Sequence, residues 1–141
     1  MAEVAAIVLA AAPVAAAALQ SLTLTTEKGA FPYKVEMAND DSSREKGLMF
    51  RKAMPKDHGM LFDFGKDQVA YMWMKNTFIS LDMVFILADG RIHRIEARTE
   101  PESERTVSSG VPVRGVLELN ANVASRLNLK PGDRILHPMF K

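Results

Sequence analysis

The sequence predicts a mainly β fold, a small β-sandwich or barrel of seven or eight short strands with two short helices. Three observations carry that prediction. Short apolar segments, several of them alternating or rich in β-branched residues, follow one another along the chain. Turn clusters separate them: Asn39-Asp40-Asp41, Gly65-Lys66-Asp67, Asp89-Gly90 and Lys130-Pro131-Gly132-Asp133. Only two stretches, 42–49 and 121–127, read as helix.

Each element has its own signal. Leu22 to Thr26 alternates and is β-branched, and Tyr33 to Ala38 alternates similarly, so both read as strands. Ser42 with Glu45 three residues on has capping-box spacing, which predicts a helix running to about Met49. Gly59 to Phe64 and Val69 to Lys75 read as two separate strands, and Leu81 to Leu87 as a third. The last two are apolar on both alternating faces, which predicts central strands covered on both sides and a buried Trp73. Asp89-Gly90 is a hairpin turn into a strand from Arg91 to Ala97. Residues 98–110 are polar and contain Pro101, and read as an exposed loop. In Val113 to Leu119, Val113, Gly115, Leu117 and Leu119 are expected on one face, and Arg114, Val116 and Glu118 on the other. Arg134 to His137 is the last strand.

Composition bounds the function. The 141 residues are 48% apolar and 25% charged, ordinary values for a globular chain. A net charge of +1 with no dense Lys/Arg run argues against nucleic acid as the main partner, because phosphate binding needs clustered positive charge. With no cysteine, thiol catalysis, disulfides, Fe–S clusters and Cys-based zinc sites are excluded. Residues 1–20 stand apart as an export segment, and residues 21–141 are expected to form one domain. Ala5 to Leu19 is nearly all Ala, Val, Ile and Leu, shorter than the ~20 residues of a membrane span. It ends in small residues that suit a signal-peptidase site, so the mature chain is expected to start near Leu19, with no membrane span and a periplasmic destination. The Met-Ala-Glu start lacks the usual positive charge, as it would if translation began further upstream. A retained anchor and a buried alanine-rich helix are the alternatives.

Lys46-Gly-Leu-Met-Phe-Arg51, Gly59-Met-Leu-Phe62, Trp73-Met-Lys-Asn-Thr77, Leu81-Asp82, Leu117-Glu-Leu-Asn120 and Gly132-Asp133 resemble, in order and spacing, the DUF192 family of uncharacterised proteins. The resemblance spans roughly residues 31 to 138, and the Trp-Met-Lys-Asn-Thr run is its most specific part. It implies a compact β-rich fold, often behind a signal peptide, and implies no activity. Ser80 stands where the family usually has Pro, which is expected to loosen the turn into the next strand. Asn122 stands where Gly is usual, a mild change because Asn tolerates positive φ.

The candidate ligand-binding residues are Lys75, Asn76, Asp82 and Glu118. Lys75 and Asn76 end one apolar strand and Asp82 opens the next, so the three are expected to share one rim, with Glu118 joining them if its strand lies nearby. A structural Lys75–Asp82 ion pair, a turn-capping Asn76 and a solvated Glu118 paired to Arg114 are the alternatives. His58, in a loop before a Gly, has the chemistry of a general acid or base, although no triad or paired-carboxylate spacing surrounds it. Met72 and Met74, two residues apart on one strand face, have usable spacing for Cu(I), and equally for filling a core. The leading expectation is a non-catalytic exported binding or accessory domain, without cofactor, whose partner is a small polar ligand or a protein. The alternatives are a hydrolase or lyase using Asp82 or Glu118 with His58, and a methionine-based Cu(I) protein. No motif of a known hydrolase, nucleotide loop or zinc site occurs, which ranks catalysis second.

Overall fold

A computed structural model describes residues 18–141. The export segment expected over residues 1–20 therefore lies, but for its last three residues, outside the described residues. The elements are β1 (Gln20–Thr26), β2 (Gly29–Ala38), α1 (Asp41–Lys46), β3 (His58–Met72), β4 (Leu81–Ile86), β5 (Ile92–Glu96), β6 (Val107–Asn120), α2 (Val123–Leu127) and β7 (Arg134–Leu136). The seven strands form one curled sheet in the order β5-β4-β6-β3-β2-β1-β7. Its two ends meet: Arg91 bridges Arg134, and Ile92 N donates to Asp133 O while Ile135 N donates to Gly90 O. The mainly β, barrel-like fold with two short helices is as the alternating segments indicated.

The sheet is antiparallel except for β2 and β3, which run parallel from Lys34↔His58 to Ala38↔Phe62. A parallel pair needs a crossover, and here it is α1 with the loop that follows. That crossover lies over one face of the sheet and creates two apolar layers. Inside the curl, Leu22, Leu24, Val35, Leu61, Val84, Leu117 and Ile135 pack with α2, which contributes Val123, Ala124 and Leu127. Outside it, Met60, Phe62, Met83, Phe85 and Val116 pack against Leu48, Met54 and Met74 from the loops. Every residue of β4 is buried, as expected of a strand covered on both faces.

Several local expectations give way. Segments 59–64 and 69–75 belong largely to one long strand, β3, whose pairing to β6 shifts register between Asp63 and Gln68. Such an irregularity bends a strand without ending it. Strand β6 starts at Val107, so the polar stretch is a loop only to residue 106. Val113 packs in the outer layer with Val116, not with Leu117 and Leu119, because strict alternation fails in this irregular part of the strand. The first helix is capped by Asp40, not Ser42: Asp40 accepts from Ser43 N at 2.7 Å, and Ser43 Oγ accepts from Asp40 N at 3.3 Å, a capping box shifted by two residues. Asn122 has φ +77° just before α2, which fits its place where Gly is usual. Ser80 donates to Thr99 O at 2.7 Å, a bond that proline cannot make, so the turn before β4 is held rather than loosened.

Candidate functional site

Strand parity sorts the four sequence-predicted site residues onto opposite faces. On β4, Leu81, Met83 and Phe85 face the outer layer, and Val84 and Ile86 the inner one. Asp82 shares the inner parity and is fully buried. Its Oδ1 accepts from Arg98 N at 2.8 Å and its Oδ2 from Ala124 N at 2.9 Å. The second bond caps α2 from a distance, since Asn122, at the N-cap position, makes no side-chain cap. Neither the expected shared rim holding Asp82 nor the alternative Lys75–Asp82 ion pair is present among the described residues.

Glu118 lies on the other face of the sheet. It pairs in register with Met60 of β3 and Met83 of β4, both in the outer apolar layer. The carboxyl is almost completely buried, at 4% exposure. Arg114, its expected partner, instead binds Asp63 at 2.6 Å. Burial alone pushes the Glu118 carboxyl up to about 8, so it carries its proton at neutral pH. No neighbouring charge or hydrogen bond contributes to that rise.

Five polar or charged side chains are buried among the described residues: Thr77, Asp82, Thr99, Ser109 and Glu118. Thr77 donates to Lys75 O, Thr99 to Leu81 O, and Ser109 to Val111 O; Asp82 is held as above. Glu118 alone has no partner. Every described side-chain nitrogen or oxygen that is sealed from solvent does have one, so the Glu118 carboxyl is open to a cavity. That cavity, of about 290 Å³, lies between α1 and the outer face of β3 and β6. Leu48, Phe62, Met72 and Trp73 supply its apolar lining, and Arg44, Glu45, Lys46 and Gln68 its polar one. Arg44 is already committed, donating to Asp63 O and to Asp41 Oδ1, both at 2.8 Å. Gly47 closes α1 at φ +49°, and a Cβ there would come within 3.3 Å of the Phe62 ring. Backbone thus forms part of the lining where a side chain would crowd it.

The loops beside the cavity are clasped together. Phe50 N donates to Asn76 O at 2.8 Å, with Phe50 at φ +67° and Asn76 at φ +54°. The Phe50 and Phe78 rings meet edge to face, 6.1 Å apart, and both are largely exposed. Trp73 was expected in the core but is 44% exposed, because β3 ends at Met72 and the indole stands past its end among these loops. Lys75 Nζ sits 5.1 Å from the Trp73 ring centre. Lys75, Asn76 and Trp73 line a shallower depression next to the cavity. His58 lines a different hollow with Asn120 and Arg126, and shares no cavity with Glu118 or Asp82. Met74 is buried, with its sulfur accepting from Thr99 Oγ1 at 3.2 Å, and Met72 packs against the same layer.

The sequence singled out Glu118, Lys75 and Asn76, but missed the crossover side of the cavity. Gly47 and Leu48 read as part of a helix, Phe62 as part of a strand, and Trp73 as core. Their one shared signal is that Lys46-Gly-Leu-Met and Trp73-Met-Lys-Asn-Thr are both resemblance motifs, and the fold brings them face to face.

Fold and site together define a small curled β-sheet domain with a lateral cavity over one unpartnered acid. The chain belongs to the DUF192 family, described as an uncharacterized ACR, whose model matches residues 23–137. No curated protein matches the chain. Two solved structures are similar. One, from Sinorhizobium meliloti 1021 and described as a "putative transcription regulator", is 48% identical, with a TM-score of 0.83 over 86% of this chain and 95% of that one. The other, a protein of unknown function from Novosphingobium aromaticivorans DSM 12444, is 34% identical, with a TM-score of 0.84 over 89% of this chain and 90% of that one.

Proposed function

We propose that this is a binding domain that takes part of a small ligand into the cavity over Glu118. A buried, unpartnered carboxyl that opens into a cavity carries the reading. Such a group costs stability unless something completes it, and the chain satisfies its other buried polar groups with its own atoms. Lys75 and Asn76, in the adjoining depression, extend the polar edge of the site. Asp82 serves it indirectly, by holding α2. The alanine-rich run from Ala5 to Leu19 supports an exported, periplasmic domain. Nucleic acid is disfavoured by the net charge of +1 and by the helices among the described residues, six and five residues long and too short to read a groove.

The enzyme reading has less behind it. A protonated Glu118 has the makings of a general acid, but His58 lines another hollow and both Asp82 oxygens are occupied. A protein partner is favoured by one observation: the exposed Phe50–Phe78 pair, with Phe50 in a backbone conformation that bulky residues rarely adopt.

Trp73 is the only tryptophan and lines the cavity, so its fluorescence reports on occupancy. Fragments of varied charge are expected to shift its emission in the natural protein and to lose that effect in Glu118→Ala. Binding insensitive to Glu118, or emission unmoved by every fragment, would refute the reading.

A further inference from the structure

The Glu118 carboxyl lacks one thing that buried carboxylates elsewhere in proteins have, a bonded cation or a set of donors. We infer that the ligand supplies it: the group that meets Glu118 is a protonated amine carried on an apolar body. This rests on the binding reading above and names its ligand class.

The inference follows from the chemistry of the lining. An ionised carboxyl only accepts hydrogen bonds, and an ammonium only donates them, so the two complete each other with charge-assisted bonds about twice as strong as neutral ones. Anions are disfavoured at the carboxyl itself: Lys46 lines the cavity without an ion-pair partner among the described residues, but no cation, Lys46 included, acts on the Glu118 carboxyl. The charged groups on the same cavity are Asp41, Arg44, Glu45 and Lys46, all on α1, and none of them shifts the Glu118 carboxyl. Arg44 is tied down by Asp41 and Asp63, and the strands on either side place only Met60 and Met83 opposite Glu118. A bare metal ion would find too few ligands: Asp41 and Glu45 also line the cavity, but the described residues hold no cluster of three acidic or histidine groups close enough to share an ion. The walls suit an organic cation: Phe62 and Trp73 offer aromatic rings, and Trp73 already carries one ammonium, that of Lys75.

Proton balance gives the inference a signature. At neutral pH Glu118 holds a proton. Docking of an alkylammonium leaves a carboxylate–ammonium pair and releases that proton to solvent. Amine affinity should therefore rise with pH, by about tenfold per unit, until Glu118 is ionised in the free protein near pH 8. A neutral acceptor that took a hydrogen bond from the protonated acid would show the opposite trend.

The test titrates n-hexylamine, hexan-1-ol and hexanoate into the full chain at pH 6, 7 and 8, followed by Trp73 fluorescence and by amide NMR shifts of residues 47–48 and 73. Hexylamine is expected to bind at least tenfold tighter than hexanol at pH 8, to tighten from pH 6 to 8, and to fall to the level of hexanol in Glu118→Gln. Hexanoate is expected not to bind. Hexanol or hexanoate binding as tightly as the amine, with dependence on Glu118, would overturn the amine class and leave the binding reading standing. No response to any of the three would overturn both. The pH trend in the natural protein decides the matter even if Glu118→Gln fails to fold.

Discussion

At the scale of single residues, the fold separates two acids that the sequence placed on one rim. Asp82 follows Asn76 by six positions, which suggested a common site, but distance along a chain does not set which face of a strand a side chain takes. Asp82 turns inward and holds two backbone amides, so Asp82→Ala should leave both unpaired and cost ~3 kcal/mol or more in urea unfolding. Glu118 turns outward and holds nothing. Its carboxyl gives up a proton more readily in the unfolded chain than in the folded one, because burial raises it to about 8 only in the fold. Its contribution is therefore most favourable below the usual glutamate range and is lost as pH rises through about 8. Natural protein and Glu118→Gln, unfolded in urea from pH 5 to 9, should diverge accordingly, with the natural protein losing ~3–5 kcal/mol relative to the variant across that range. Residue type and strand parity made Glu118 legible as the one polar residue on its face besides Arg114. Its lack of a partner was not legible, because that depends on Arg114 reaching Asp63, 51 positions away.

At the scale of elements, strands and turns were legible and their ends were not. Alternation, two-sided apolar runs and turn signals together located the seven described strands, with β3 read as two. Alternation failed where a strand bends, between Asp63 and Gln68, and where a strand leaves the sheet, after Met72. The error over Trp73 has that second cause. An apolar run continues past the end of β3, and the residues beyond the sheet face loops and solvent. Trp73→Ala should then cost about 1 kcal/mol or less in urea titration, whereas Phe85→Ala, from a fully buried position on β4, should cost ~3–5 kcal/mol. Comparable losses would mean that the indole is packed as a core residue after all. The crossover element was the least legible of all. A six-residue helix has too few turns to show periodicity, and its cap was misplaced by two residues for that reason.

At the scale of the whole molecule, the sheet closes on itself through contacts between distant parts of the chain. Thr23 to Thr25 pair with Arg134 to Leu136, and Arg91 bridges Arg134. Nothing in a local pattern announces such pairings, so the sequence left sandwich and barrel open as alternatives. Ile135 sits at this seam with 1% exposure, its amide bonded to Gly90 O. Ile135→Ala should cost ~2–5 kcal/mol in urea unfolding, with hydrogen exchange rising in β1 and around residues 90–92 before it does in β6. Closure also gives the sheet two packed faces, with α2 inside and the β2–β3 crossover outside. The cavity exists because the crossover does not cover Glu118 completely. The central claim is that this carboxyl is buried, protonated and unpartnered until a ligand arrives. A 13C NMR titration of the Glu118 side-chain carboxyl, assigned by its loss in Glu118→Gln, measures this directly. The expected midpoint is near pH 8 in the free protein, moving down when hexylamine saturates the cavity. A midpoint in the ordinary glutamate range in the free protein would contradict the claim, because the carboxyl would then be solvated or already paired.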